Sequence, residues 1–347
     1  MSFAHLVKMI RLDPGQVFEP PYRQIIDDPQ KAPASLAEAS EFVELLIKHV
    51  GSEKDKDEGK KASRVKALGL VKTFLTNPKS TAYDDAEVSA AAFAVQLACR
   101  IREPSMINQG QASICGPNTL MIQVAKTTPE RYAVVALALF QHGKANFDAL
   151  DLEAPDIEKT RDWARELSLV DHIVLVAASR GFANSFMRAL PSSALQGNAP
   201  DTVKSALEKA GFKHCQDNTI SNWLGFGIGA SNVTDKSRAN LAQAAKAVSA
   251  GHCVIMFYGS ELVSLITNQL TATFDKDIPR KPGQIALPAS EGKASRPDHY
   301  SLVSKLQLND KTTEIKLYSW GRSYTATLPT DSLLTYYAGY ISGELNT

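Results

Sequence analysis

Cysteine is scarce in this sequence, with four in 347 residues: Cys99, Cys115, Cys215 and Cys253. So few and so scattered, they make no disulfide framework and suggest a chain made in a reducing compartment. Long apolar runs are missing too. The longest, Tyr132–Phe140 and Cys253–Tyr258, fall far short of the roughly 18 residues a membrane helix needs. No charge of one sign dominates: 38 Lys and Arg stand against 37 Asp and Glu, so no whole-chain field steers the protein to nucleic acid or an anionic membrane. The start, MSFAHLVKMIRLDPG, has no continuous apolar segment and no small-residue cleavage site, so no secretory signal peptide is expected. A cytoplasmic location, or export without an N-terminal signal, follows as the expectation. Internal repeats and low-complexity tracts are absent. What remains is an ordinary globular composition, 44% hydrophobic and 22% charged, with length for two or three domains.

The first hundred residues have helical patterning. Ser35-Leu36-Ala37-Glu38 has the spacing of a capping box, with Ser35 as N-cap and Glu38 reaching back. Leu36, Ala39, Val43, Leu46, Ile47 and Val50 follow at helical spacing. Glu87–Ile101 is Ala-rich without Gly or Pro and predicts a second helix. The mixed-sign run Ser52–Lys61 between them predicts a solvated loop. After Pro104, Asn108-Gln109-Gly110 signals a turn, and Cys115-Gly116-Pro117-Asn118 opens an apolar run through Ala125. Pro is tolerated in the first helical turn, and Leu120, Met121 and Val124 share a face, so a buried helix is expected. Thr128-Pro129 starts another helix that stops near Gly143. Residues 151–250 predict a mostly helical stretch, with loops around Pro191, Pro200 and Asp217–Asn232.

From Gly251 the pattern turns to β. Asn240–Ala250 predicts a helix, Gly251 its cap, and Cys253–Tyr258 a buried strand. His299–Leu308 and Thr313–Trp320 alternate around residues 309–312, which predicts a hairpin. The layout is α+β: a helical N-terminal region over 1–103, then a domain over 104–347 with a helical insertion at about 151–250.

Cys115, Gln109 and His299 bring together the residue types of acyl-transfer chemistry. A cysteine at a helix N-terminus faces unpaired N–H groups and the positive end of the dipole, and both favour thiolate. His is the usual partner of a nucleophilic thiol. A side-chain amide such as Gln109 supplies a donor to an oxyanion. Competing signals are weaker. His214-Cys215 and His252-Cys253 lack metal-ligand spacing. Gly225–Ala230 mimics a dinucleotide loop, but no acidic residue lies about 20 positions on. No metal and no cofactor is therefore implied, and the remaining cysteines are expected to be buried apolar side chains.

Asn108-Gln109-Gly110 followed by Cys115-Gly116-Pro117 resembles the papain-like cysteine peptidases, and the Cys-Gly-Pro version is most similar to the bacteriocin-processing members. Asp298-His299-Tyr300 resembles the family's His at a strand start, and Tyr318-Ser319-Trp320-Gly321 its Asn-Ser-Trp-Gly segment. The resemblance implies a nucleophile helix packed on an antiparallel sheet. It also implies hydrolysis of a protein or peptide substrate by Cys115 and His299, with Gln109 at the oxyanion. The helical additions resemble bacterial effector or toxin proteases. The same site chemistry serves glutamine deamidation or transglutamination, and an inactive interaction protein with this fold is the third reading. The sequence departs from the family where its His-orienting Asn belongs: 318 is Tyr and 319 is Ser. If residue 308 pairs with 313, then 303 faces 318 and 301 faces 320. Tyr318 and Trp320 then share the His299 face, while Leu302, Leu306, Ile315 and Leu317 line the other. A one-residue slip puts Ser319 there instead. Either way a hydroxyl, not a carboxylate, is expected nearest the far ring nitrogen of His299, covered by Trp320.

Overall fold

The structure, a computed structural model, describes residues 2–13, 18, 22–53, 57–83, 88–164, 166–183, 198–220, 235–271 and 297–345. The chain is α+β and divides into two compact units, Met1–Gly197 and Asn198–Asn346. The first unit carries α1 (Phe3–Leu12), α2 (Tyr22–Asp27), α3 (Leu36–Ser52), α4 (Glu58–Phe74), α5 (Ala90–Arg102), α6 (Cys115–Thr127) and α7 (Pro129–His142). The strands β1 (Lys144–Phe147) and β2 (Leu150–Glu153), then α8 (Ile157–Ala164) and α9 (Leu169–Phe182), complete it.

The expected capping box is present at α3. The Ser35 hydroxyl accepts from the Glu38 N–H at 3.2 Å, while the Glu38 carboxylate reaches back to the Ala34 N–H at 2.9 Å, one residue beyond the cap. Ala39, Phe42, Val43, Leu46 and Val50 bury one face of the helix. The charged run after it is not all loop. Asp57 accepts from the Lys60 N–H at 3.0 Å and so starts α4 at Glu58, whose acidic first residue suits the positive helix end. Ala67, Leu68, Val71 and Phe74 then face inward. Phe74, Phe93 and Phe140 form an aromatic cluster that joins α4, α5 and α7, with centroids 4.5–6.1 Å apart. Gly143, at φ +71°, ends α7 as expected. The Thr128 hydroxyl, however, donates back to the Val124 carbonyl at 3.2 Å rather than capping α7.

The second unit holds α10 (Pro200–Lys209), β3 (Phe212–Thr219), α11 (Asp235–Ser249), β4 (Cys253–Tyr258), α12 (Glu261–Thr271), β5 (His299–Leu308), β6 (Thr312–Ser319), β7 (Arg322–Pro329), α13 (Thr330–Tyr336) and β8 (Tyr337–Leu345). Six antiparallel strands form one sheet in the order β3-β8-β4-β5-β6-β7. Leu241 and Ala244 of α11 join Val254, Met256, Tyr258, Val303, Leu306, Ile315 and Leu317 in its core.

Several expectations change here. The division falls after Gly197, not at 103/104, because α4 and α5 pack with α6, α7 and α9 rather than closing a region of their own. The stretch 151–250 is no single insertion. Residues through Phe182 belong with the first unit, while α10, β3 and α11 build the second. Pro200 opens a helix at its first position, where a missing N–H costs nothing. Asp217–Thr219 lie in β3. Pro191 and the glycines 225–229 fall outside the described residues.

Candidate functional site

Cys115 begins α6, and no side-chain cap occupies the helix start, because the N-cap residue is Ile114. Every residue from Cys115 to Ala125 is buried, as the apolar run predicts. Cys115 as a whole is 5% exposed. The segment leading into it is tightly tied. Asn108 accepts from the Gly110 N–H at 3.0 Å, and Gly110 has φ +55°, a left-handed turn open to glycine. A Cβ there would stand 3.2 Å from that of Glu166. Gln109 is 4% exposed, and its Nε2 donates to the Ala112 carbonyl at 3.0 Å. That bond orients the amide, since only nitrogen can donate. It uses one of the two N–H groups of the amide.

A buried ionic cluster holds this segment from behind. Arg100, fully buried, bonds Asp171 through Nη2 at 2.7 Å and Nε at 3.3 Å, Asp27 at 2.7 Å and Ser168 at 2.9 Å. The same Asp171 carboxylate accepts the Asn108 N–H at 3.2 Å, one residue before Gln109. Burial pushes the Asp171 carboxyl up against the pull of Arg100. Burial alone would lower the Arg100 pKa, but Asp171 and Asp27 more than reverse it. The sequence analysis passes over this cluster. Its signal is a charge at a buried position of each of two apolar helices, Arg100 in AAAFAVQLACRIR and Asp171 in LVDHIVLVAAS.

His299 opens β5 and is 3% exposed. Its Nε2 lies 2.6 Å from the Ser319 hydroxyl. The Trp320 ring stacks on the imidazole at 4.2 Å and 14°, and Tyr258 meets its edge at 5.5 Å. Sheet register explains this choice of partner. Near the turn, 308 pairs with 313 and 305 with 316, as the hairpin arithmetic predicts. Between Val303 and Lys305 the register shifts, so that Val303 pairs with Leu317 and Leu302 with Tyr318. Ser304 is thus an extra, bulged residue. Every later β6 side chain changes face. Ser319 moves to the His299 side, and Leu306, Ile315 and Leu317 join its core. Tyr318 goes to the opposite face, where the Lys316 ammonium sits 5.8 Å from its ring. Tyr318 is therefore not a partner of His299; Ser319 is.

Trp320 reaches the imidazole from a two-residue turn, Trp320-Gly321, between paired Ser319 and Arg322. Both turn residues have positive φ, +43° and +69°, the signs of a type I′ turn. For Trp this conformation costs about 1–3 kcal/mol, which the stack and the hairpin must offset. Asp298 is exposed and turned away, its carboxylate accepting from the Ser260 N–H at 2.8 Å and hydroxyl at 3.0 Å. Gln109 and Cys115 thus lie together on one segment of the first unit, and His299, Ser319 and Trp320 lie together in the second. Among the described residues no group of three His, Cys, Asp or Glu is placed to hold a metal ion, and no helix is long and apolar enough to cross a membrane.

Burial lowers the pKa of His299 to about 3, and that of His172, whose Nε2 lies 2.6 Å from the Thr160 hydroxyl, to about 4. In the unfolded chain each titrates near 6.5. Both pKa values are depressed by folding, so their stabilising contribution is full above pH 6.5. It is lost as pH falls toward 4 for His172 and 3 for His299. Each contributes a slope of about 1.4 kcal/mol per pH unit in its window. Urea unfolding at pH 7.5 and 5 should show this loss, and His172→Gln should remove one slope from the first unit. Equal pH dependence in wild type and variant would contradict the assignment.

Comparisons with protein-family models, with curated proteins and with solved structures find no match to this chain.

Proposed function

We propose that the protein is a papain-like cysteine peptidase in which Cys115 attacks an amide carbonyl and His299 carries the proton. The contact of His299 Nε2 with Ser319 under the stacked Trp320 carries this reading. It supplies the imidazole with an orienting partner and a water shield at the residues of the Ser-Trp-Gly segment. With Nε2–H donating to Ser319, Nδ1 is the nitrogen that exchanges protons. The thiol proton passes to Nδ1 and sulfur bonds to the carbonyl carbon. The carbonyl oxygen becomes an oxyanion, stabilised by the second N–H of Gln109. Nδ1 then protonates the leaving amine as the C–N bond breaks. Water cleaves the thioester and restores the thiol. The substrate is a protein or peptide, and the resemblance extends the proposal to a bacterial effector or toxin role.

The test incubates the full chain with an unfolded protein substrate and measures new amino termini and released ammonia separately. New termini in wild type, absent with Cys115→Ala, are the expected result. Ammonia without new termini would replace the peptidase by a glutamine deamidase. Neither product would leave an interaction protein.

A further inference from the structure

Resting on the reading of Gln109 as the oxyanion donor, we propose that Asp171 and Asn108 are positioning residues for the reaction. They hold the turn that carries the Gln109 amide in register with Cys115. The Ala112 carbonyl joins the two functional residues. It accepts from Gln109 Nε2 at 3.0 Å and from the Ile114 N–H at 2.9 Å, and Ile114 is the N-cap residue directly before Cys115. The Ala112 N–H returns to the Gln109 carbonyl at 3.0 Å. The side-chain amide and the start of α6 therefore share one acceptor, and backbone geometry sets their register.

That closed loop is anchored at two points by the segment that opens α9. Asp171 accepts the Asn108 N–H at 3.2 Å, and a Cβ at Gly110 would meet Glu166 and Leu167 at 3.2 and 3.5 Å. Asn108 links the two points, its side-chain oxygen accepting the Gly110 N–H at 3.0 Å. The anchor is itself fixed to α5. Gln96 accepts the Val170 N–H and donates to the Ile26 carbonyl, each at 3.1 Å, while Arg100 grips Asp171 with two nitrogens.

Stability alone does not call for these buried charges, since an apolar pair of similar volume often packs such a site as well or better. What an apolar pair lacks is an acceptor. The Asp171 carboxylate takes donors from Arg100 and Ser168 and has room for one more, which is the backbone N–H beside Gln109. An oxyanion donor works only within about 2.7–3.1 Å of the place where charge develops. A misplacement of about 1 Å costs on the order of a hundredfold in rate. Asp171 thus acts on turnover through Gln109, not through the thiol.

The test measures kcat and KM for peptide hydrolysis by the full chain and, separately, the rate at which iodoacetamide alkylates Cys115, a displacement that forms no oxyanion. Arg100→Met with Asp171→Leu removes the acceptor without stranding a charge. Its kcat should fall about 10- to 100-fold, with KM and the alkylation rate within about twofold of wild type. Gln109→Ala should lower kcat by about 10²–10³-fold. Adding the Arg100 and Asp171 changes to it should cost little more, because all three act through one group. Unchanged kcat in the paired variant, or a loss that adds in full to that of Gln109→Ala, would overturn the positioning role and keep the peptidase reading. Wild-type kcat in Gln109→Ala, or no hydrolysis by the wild type, would overturn the reading on which the proposal rests. Should the paired variant not fold, Asn108 decides. Asn108→Ala should lower kcat by about tenfold, and Asn108→Asp, which keeps the acceptor for Gly110, should restore most of it; equal kcat in the two would overturn the proposal.

Discussion

Cys115→Ala and His299→Ala should each lower amide hydrolysis on the order of 10⁴-fold or more, and the double variant should be little worse than either. Nucleophile and base act as one device, so removing the second part of a broken device costs little. Cys115→Ala removes only a sulfur, whereas His299→Ala also removes the stack that offsets the Trp320 conformation. Cys115 ends in a thiol at a helix start, and His299 is held by one hydroxyl and two rings. Circular dichroism should stay near wild type in both; the melting midpoint of Cys115→Ala should change little and that of His299→Ala should fall, while turnover disappears in each. Near-normal turnover in His299→Ala would sink the dyad and direct attention to another histidine, such as His252.

Asp171→Ala should cost the first unit about 3–5 kcal/mol, the penalty for leaving a buried charge without its partner. Arg100 has no route to water, and Asp27 with Ser168 satisfies only part of its guanidinium. In a unit of this size the melting midpoint should fall by roughly 6–20 °C. The paired replacement Arg100→Met with Asp171→Leu should cost less than Asp171→Ala alone, because it removes both charges at once. If Asp171→Ala melts within about 2 °C of wild type, the cluster does not hold the helices together. The Asn108 N–H loses its acceptor in every Asp171 variant, so the Gln109 segment should exchange its amide hydrogens faster.

Local signals with a single physical reading were legible in the sequence. Ser35 with Glu38, Gly143 and the strand Cys253–Tyr258 each combine a cap or pattern with an unambiguous period. The helix start at Cys115 and the hydroxyl beside His299 belong to this group. Long-range bookkeeping was not legible. The strand Phe212–Thr219 sits at a sheet edge with most side chains at least partly exposed, so no alternation marks it. Asp57 and Glu58 look alike as loop residues and as the opening of a helix. Arg100 and Asp171 lie 71 positions apart, and only the fold reveals that each charge answers the other. The bulge at Ser304 carries no Gly or other marker, and no hydrophobic pattern distinguishes it from a regular strand residue.

That bulge makes the identity of the histidine's partner a matter of counting. Two hydroxyl side chains, phenol and alcohol, stand side by side at 318 and 319, and the parity of the strand decides which one the imidazole meets. Composition can drift along β5 with little consequence for that choice, since almost any residue can occupy the bulge. Length cannot. One residue gained or lost between His299 and the register shift exchanges serine for tyrosine as surely as two point substitutions would. At the hairpin tip, Asn309–Lys311, extra residues leave the pairing of 308 with 313 in place and the choice untouched. The site is thus protected against changes of letter and exposed to changes of frame, and its tolerance for insertion differs sharply between two places less than ten residues apart.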